Sequence, residues 1–321
     1  MPDFQTKPVS KRASWAPIHR GKTLTFLTLA RLIPPLAHPN SGGRLPAILP
    51  GTRQIEVVTD RLPTGNFRFA IFDFDGTLSL IREGWREIMI PTMVDTLSAI
   101  GTSETVEDLT TVVSKFVDAL TGQQTIYQMI RLCEEITVRG GQPEDPLVYK
   151  ERYHRALLDH INARIRALRT GLAKPEDFIV PESRALLQAL VDRGLTLYLA
   201  SGTDHDYVVQ EAELLGVTSF FGDRIFGAVD NYEDFSKEKL IQQILQDPAI
   251  TGDQLLGFGD GYVEIENVSK VGGTAVGVAS NEATGVGFDA WKRTRLIDAG
   301  ADYMIPEYRE QDLLLAHLFP E

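Results

Sequence analysis

The stretch that most limits what this chain can fold into is Phe69-Ala70-Ile71-Phe72-Asp73-Phe74-Asp75-Gly76-Thr77-Leu78. An apolar run that ends in carboxylates and turns on a glycine suits the central strand of a parallel sheet covered on both faces. Side chains two apart on a strand share a face, so Asp73 and Asp75 can converge on one small volume. Open α/β sheets bind ligands just beyond the carboxyl ends of their strands, which is where this pair falls. Two carboxylates held so close repel unless a cation lies between them or one takes a proton. A hard cation such as Mg²⁺ favours carboxylate and water oxygens, so a metal site is the natural reading. The bland alternative is a surface turn with two solvated aspartates, and the apolar residues leading in oppose it.

After Thr77 the pattern turns helical for roughly a hundred residues. Val106, Leu109, Val113, Phe116 and Leu120 form one apolar stripe, and Ile126, Met129, Ile130, Cys133 and Ile136 a second. Tyr153, Leu157, Ile161, Ile165 and Leu168 form a third. Trp85, Ile88, Met89, Val94, Leu97 and Ile100 suggest a fourth helix, kinked or split at Pro91. Together they read as a helical bundle whose stripes are core. From Pro181 onward helices alternate with strands at 195–200, 224–229, 254–258, 274–279 and 301–305, which predicts an α/β fold with a doubly wound parallel sheet. A short strand at 54–59 and a turn at 63–66 lead into the central strand.

The segment DFDGT resembles the first signature of the haloacid dehalogenase superfamily, in its phosphatase branch. The resemblance implies that Asp73 is a nucleophile forming an aspartyl-phosphate. It implies too that Asp75 protonates the leaving oxygen and later activates water. The second signature, a hydrophobic strand ending in Ser or Thr, is matched by LTLYLAS, which supplies Ser201 with Gly202 after it as a substrate contact. A hydroxyl there, with the N–H groups that open the next helix, can donate to phosphate oxygens. The third is a lysine near a helix start; Lys237 and Lys239 both qualify, and Lys237 has the family's hydrophobic pair, Leu240 and Ile241, at three and four residues on. Its charge beside Asp73 would hold the carboxylate ionised and neutralise the transferring phosphoryl group. The fourth is matched by Gly259-Asp260-Gly261-Tyr262-Val263-Glu264, with Glu264 where most relatives carry Asp.

By this resemblance Asp73, the backbone carbonyl of Asp75 and Asp260 hold Mg²⁺. Glu264 joins them directly or through water, or instead orients Lys237. The helical insert resembles the family's cap, which gives a Rossmann-like core at 51–79 and 180–321 and an all-helical cap at 80–179. Its hinges are expected near Ser79–Arg82 and Asp177–Pro181. Arg82 and Arg86, one helical turn apart just outside Asp75, are candidates to pair with a substrate anion, a solvated helix face being the alternative. The implied activity is Mg²⁺-dependent hydrolysis of a small phosphomonoester, such as a sugar phosphate or phosphoglycolate. A phosphomutase or phosphotransferase on sugar phosphates, or a non-catalytic binding protein of the same fold, are the rivals.

Charge and composition bound the rest. Residues 1–50 hold seven basic residues, one acid and eight of the 17 prolines. Such a segment buries too little apolar surface to offset its ordering entropy, so it is expected to be a largely disordered extension. The whole chain carries −12. A body that acidic disfavours nucleic acid and anionic membranes, and an anionic substrate would need local cations. The single cysteine, Cys133, excludes an internal disulfide and suits a reducing, cytoplasmic setting. The expected partner is a small phosphate ester, and the expected state a monomer or homodimer.

Overall fold

The computed structural model of the chain describes residues 46–320 apart from 230, 231, 233 and 248. Of the extension expected at 1–50, residues 1–45 lie outside the described residues, but its end is part of the fold. Ala47–Ile48 (β1) pairs antiparallel with Glu56–Val57 (β2), and Leu49 is buried. The apolar cluster Ala47-Ile48-Leu49 supplies this edge, so residues before 51 belong to the sheet domain.

The remaining strands are Phe69–Phe72 (β3), Thr196–Asp204 (β4), Ile225–Ala228 (β5), Leu255–Gly259 (β6), Thr274–Val278 (β7) and Tyr303–Ile305 (β8). The sheet order is β1-β2-β8-β7-β6-β3-β4-β5, parallel from β8 to β5 and antiparallel at the β1–β2–β8 edge. The central strand β3 is as the sequence predicts: Ala70 and Phe72 are fully buried, and Phe72 stacks on Phe258 of β6 with ring centroids 4.6 Å apart. It pairs with β4 on one side and β6 on the other, Phe72 facing Leu199 and Phe258. The strand order reverses at β3, with β4 to one side and β6 to the other, so the ends of β3, β4 and β6 open onto one crevice.

The insert that follows β3 carries four helices, Trp85–Ser98 (α1), Val106–Ala119 (α2), Thr125–Val138 (α3) and Pro146–Thr170 (α4). Thr105 and Asp108 make a reciprocal capping box at the start of α2, and Asp145 with Pro146 opens α4. The α1 helix runs unbroken through Pro91, where the sequence predicts a kink or split. Met93 and Leu97, buried beyond the proline, anchor its second half. The chain leaves and re-enters the sheet domain side by side: Leu80 N–H donates to Phe178 O and Val180 N–H to Leu78 O, each at 2.9 Å.

The sheet is flanked by Ser183–Asp192 (α5), His205–Leu214 (α6), Thr218–Phe221 (α7), Lys237–Ile244 (α8), Tyr262–Lys270 (α9), Ala290–Asp298 (α10) and Gln311–Leu318 (α11). The short α7 and the terminal α11 are not anticipated from the sequence; α11 buries Leu314, Leu315 and Leu318. Cys133 is half-buried on α3, and burial raises its thiol to about 11. Among the described residues no helix is long and apolar enough to cross a membrane.

Candidate active site

Asp73 follows the last residue of β3 and is buried, its N–H donating to Phe258 O at 2.9 Å. Lys237, the first residue of α8, reaches Asp73 Oδ1 with its Nζ at 2.8 Å. The helix start is fixed by Ser236, whose Oγ accepts from Lys239 N–H at 3.1 Å. Of the two lysines the sequence offers, Lys237 is buried against Asp73 and Lys239 is exposed. Burial is the largest influence on the Asp73 carboxyl. It outweighs the Lys237 ammonium and, helped by Asp260 and Asp75, pushes the group from 3.8 up to about 7.

Asp75 sits two residues on, at the mouth of the crevice. Its Oδ2 accepts from Ser201 Oγ at 3.2 Å and from Thr203 Oγ1 at 2.9 Å. Both hydroxyls come from the end of β4, which runs to Asp204 and so extends beyond the strand the sequence predicts. Ser201 Oγ also accepts from Thr203 N–H at 3.0 Å. Thr203 is a site residue that sequence reasoning missed; its place two residues after Ser201 on a strand was the available signal. Gly202 between them takes the insert at close range, since a Cβ there would stand 2.6 Å from Gln123 O.

Asp260 follows β6 and approaches the turn after Asp75. Gly76 has a φ of 73°, and a Cβ on it would stand 2.1 Å from Asp260 Oδ2, so this turn requires glycine twice over. Asp260 Oδ2 is 2.7 Å from the Nζ of Lys292 on α10. Lys292 also lies 2.5 Å from Glu282 Oε1. Neither residue belongs to a predicted motif.

Glu264, Arg82 and Arg86 each meet a charged partner within the chain. Glu264 is not beside Asp260 in the cleft; its carboxylate is in direct contact with Lys237 Nζ and lies beneath the cleft floor. Its longer side chain reaches the lysine, so of the expected alternatives the orienting role is the one the geometry favours over that of a metal ligand. Arg82 lines the cleft but is bound by buried Glu211, with Nε 3.1 Å from both carboxylate oxygens and Nη2 2.7 Å from Oε1. Its Nε is 3.7 Å from Asp75 Oδ1, so it faces that carboxylate, not open solvent. Arg86 is paired with Asp118 and lies over the Trp291 ring, 4.6 Å from the centroid. Each arginine thus already holds a carboxylate of the chain while lining the cleft.

Asp73, Asp75, Arg82, Arg86, Ser201, Gly202, Lys237, Asp260 and Lys292 all line one cleft of about 450 Å³ between the sheet ends and the insert. Local cations thus line the crevice of an acidic chain, as an anionic substrate would require.

The donor set suits a divalent cation. Asp75 Oδ1 is buried with no hydrogen-bond partner, and Asp73, Asp75 and Asp260 bring three carboxylates into the same cleft. Among the described residues no three His, Cys, Asp or Glu side chains form a ready ligand set. Asp73 and Asp260 could supply two carboxylate ligands, and Gly76 gives Asp260 its close approach to the turn after Asp75. Oxygen ligands of this kind are those of Mg²⁺.

Comparison with solved structures finds low-identity similarities. A haloacid dehalogenase-like protein from Agrobacterium tumefaciens str. C58 is 15% identical over 78% of this chain and 98% of its own, with a TM-score of 0.49. A predicted phosphoglycolate phosphatase from Haemophilus somnus 129PT is 14% identical over 78% of this chain and 98% of its own, with a TM-score of 0.49. A hydrolase of the same family from Deinococcus radiodurans R1, with bound phosphate and sodium, is 16% identical over 79% of this chain and 97% of its own, with a TM-score of 0.46. No curated protein matches the sequence. The model of the haloacid dehalogenase-like hydrolases matches residues 67–271, from the approach to β3 through the end of α9, and so spans the central strand, the insert and every residue from Asp73 to Glu264 described above. With more than half of its length matched, the chain belongs to the haloacid dehalogenase-like hydrolases.

Proposed function

We propose that the chain is a Mg²⁺-dependent phosphatase that hydrolyses a small phosphomonoester through an aspartyl-phosphate on Asp73. The observation that carries this reading is the placement of Lys237 Nζ 2.8 Å from Asp73 Oδ1, while Asp75 stands two residues away on hydroxyl donors. That gives a nucleophile with a fixed positive charge beside it, and a second carboxyl aimed at the same cleft.

In the first half-reaction an Asp73 carboxylate oxygen attacks phosphorus, the ester P–O bond breaks, and Asp75 gives its proton to the departing oxygen. Lys237, steadied by Glu264, offsets the charge on the phosphoryl oxygens, and Ser201 is placed to donate to one of them. In the second, Asp75 takes a proton from water, which attacks the phosphorus of the adduct and regenerates Asp73. The cation held by Asp73, Asp260 and the Asp75 carbonyl would supply further charge neutralisation for the phosphoryl group. The insert acts as the cap that encloses the ester and keeps bulk water from the adduct. A cleft of about 450 Å³ suits a small substrate.

The reading is tested by phosphate release from a panel of sugar phosphates, phosphoglycolate and p-nitrophenyl phosphate, with Mg²⁺ and with excess chelator. Release that depends on Mg²⁺ and is lost in Asp73→Asn supports it. Full release in chelator would remove the metal from the account, and release by Asp73→Asn would remove the nucleophile.

A further inference from the structure

Lys292 is a buried cation in the cleft to which the reaction above gives no part. It sits in the first turn of α10, with its N–H donating to the capping Asp289 Oδ1 at 2.8 Å. A positive charge there runs against the helix dipole, and burying it costs more still. Its partners explain why it is tolerated: Asp260 Oδ2 at 2.7 Å, Glu282 Oε1 at 2.5 Å and Ser280 Oγ at 3.4 Å. Ser280 Oγ in turn donates to Gly76 O at 2.5 Å, which ties the cluster to the turn that follows Asp75. Two lysines therefore bracket the carboxylates, Lys237 on Asp73 and Lys292 on Asp260.

We propose that Lys292 is a resident counter-ion for Asp260 that competes with the divalent cation for that carboxylate, and that Glu282 sets how strongly it competes. The inference rests on the reading of Asp260 as a metal-holding residue. Without a metal, the ammonium neutralises Asp260 and lets the crowded acidic cleft stay folded. A divalent cation arriving at Asp260 meets a positive charge already in place, so its binding is weakened and its exchange made easier. Glu282 draws the ammonium away from Asp260 and cancels part of its charge. Removing Lys292 and removing Glu282 should thus move metal affinity in opposite directions. A lysine that merely props Asp260 in position predicts the contrary for its own removal, because losing a supporting partner weakens metal binding.

Titration of the metal-free full-length protein with MgCl₂ in a calorimeter, at fixed pH and salt, tests this. Lys292→Met should bind Mg²⁺ on the order of tenfold more tightly, the scale expected for removing one charge a few ångströms from a dication. Its melting temperature should also fall further on adding chelator than that of the unmodified protein. Glu282→Gln should bind several-fold more weakly, and Lys292→Arg should stay near the unmodified value. Unchanged or weaker binding by Lys292→Met overturns the proposal. If that variant does not fold without metal, Glu282→Gln decides alone, and unchanged or tighter binding there overturns it. Absence of Mg²⁺ binding by the unmodified protein would instead overturn the metal assignment itself, and this proposal with it.

Discussion

Lys237 joins two buried carboxylates, Asp73 at 2.8 Å and Glu264 in direct contact, so one ammonium steadies the proposed nucleophile while a second acid steadies the ammonium. Lys237→Met should lower turnover by on the order of 10²–10³-fold, the usual consequence of losing one preorganised stabiliser of transition-state charge. Glu264→Gln should cause a smaller loss in the same direction, because it leaves the lysine in place but loosens it. Steady-state kinetics on p-nitrophenyl phosphate measure both. A Glu264→Gln loss that exceeds the Lys237→Met loss would give the glutamate a more direct role.

The Asp73 carboxyl of the metal-free protein, raised from 3.8 to about 7, makes stability depend on pH. Between those values the folded state holds a proton that the unfolded state has released. Its contribution is therefore full below 3.8 and is lost as the pH rises through about 7. A divalent cation needs the carboxylate, so the rise in melting temperature on adding Mg²⁺ should grow from pH 5 to pH 8. Thermal melts with Mg²⁺ and with chelator check this. Asp73→Asn should flatten the chelator series, and an unchanged slope would place the titrating group elsewhere.

Arg82 and Glu211 form an ion pair almost wholly removed from solvent, with side-chain exposures of 7% and 2%. Removing one partner strands the other charge, which typically costs about 3–5 kcal/mol. Arg82→Met or Glu211→Leu should each lower stability by that order, and the double variant should recover much of the loss. Denaturant unfolding curves measure it. Additive losses in the double variant would mean the pair is not coupled.

Gly202→Ala places a methyl group 2.6 Å from Gln123 O, so the insert must retreat from the sheet ends. Catalytic efficiency should fall by about tenfold or more, since small misplacements of an enclosed site are costly. The melting temperature should change little if the insert moves as a body. Wild-type kinetics in this variant would show that the close approach has no part in turnover.

How much of this was legible in the sequence follows from where each residue lies. Asp73, Ser201 and Asp260 sit at the ends of apolar strands, and a parallel sheet brings such ends together whatever the loops do. The insert was legible because its stripes repeat over four helices. Lys292 and Glu282 were not, since they flank a loop and the start of a helix with no apolar period of their own, and meet Asp260 only through the β7–α10 connection. Glu211 was hidden for another reason: on α6 it reads as one acid among several, and only packing against Arg82 distinguishes it. The split considered at Pro91 is absent because buried Met93 and Leu97 hold α1 together past the ring.

The division of labour between the two aspartates is the core of the account, and trapping the intermediate tests it most directly. Asp75→Asn keeps the shape of the acid–base group but not its proton transfer, so turnover should fall by on the order of 10²–10⁴-fold. With p-nitrophenyl phosphate the leaving group needs little protonation, whereas hydrolysis of the adduct still needs a base. Acid quenching of Asp75→Asn with labelled substrate, followed by peptide mapping, should therefore recover a hydroxylamine-sensitive phosphate on Asp73, and Asp73→Asn should yield none. A phosphate on any other residue, or an adduct in Asp73→Asn, would contradict the mechanism.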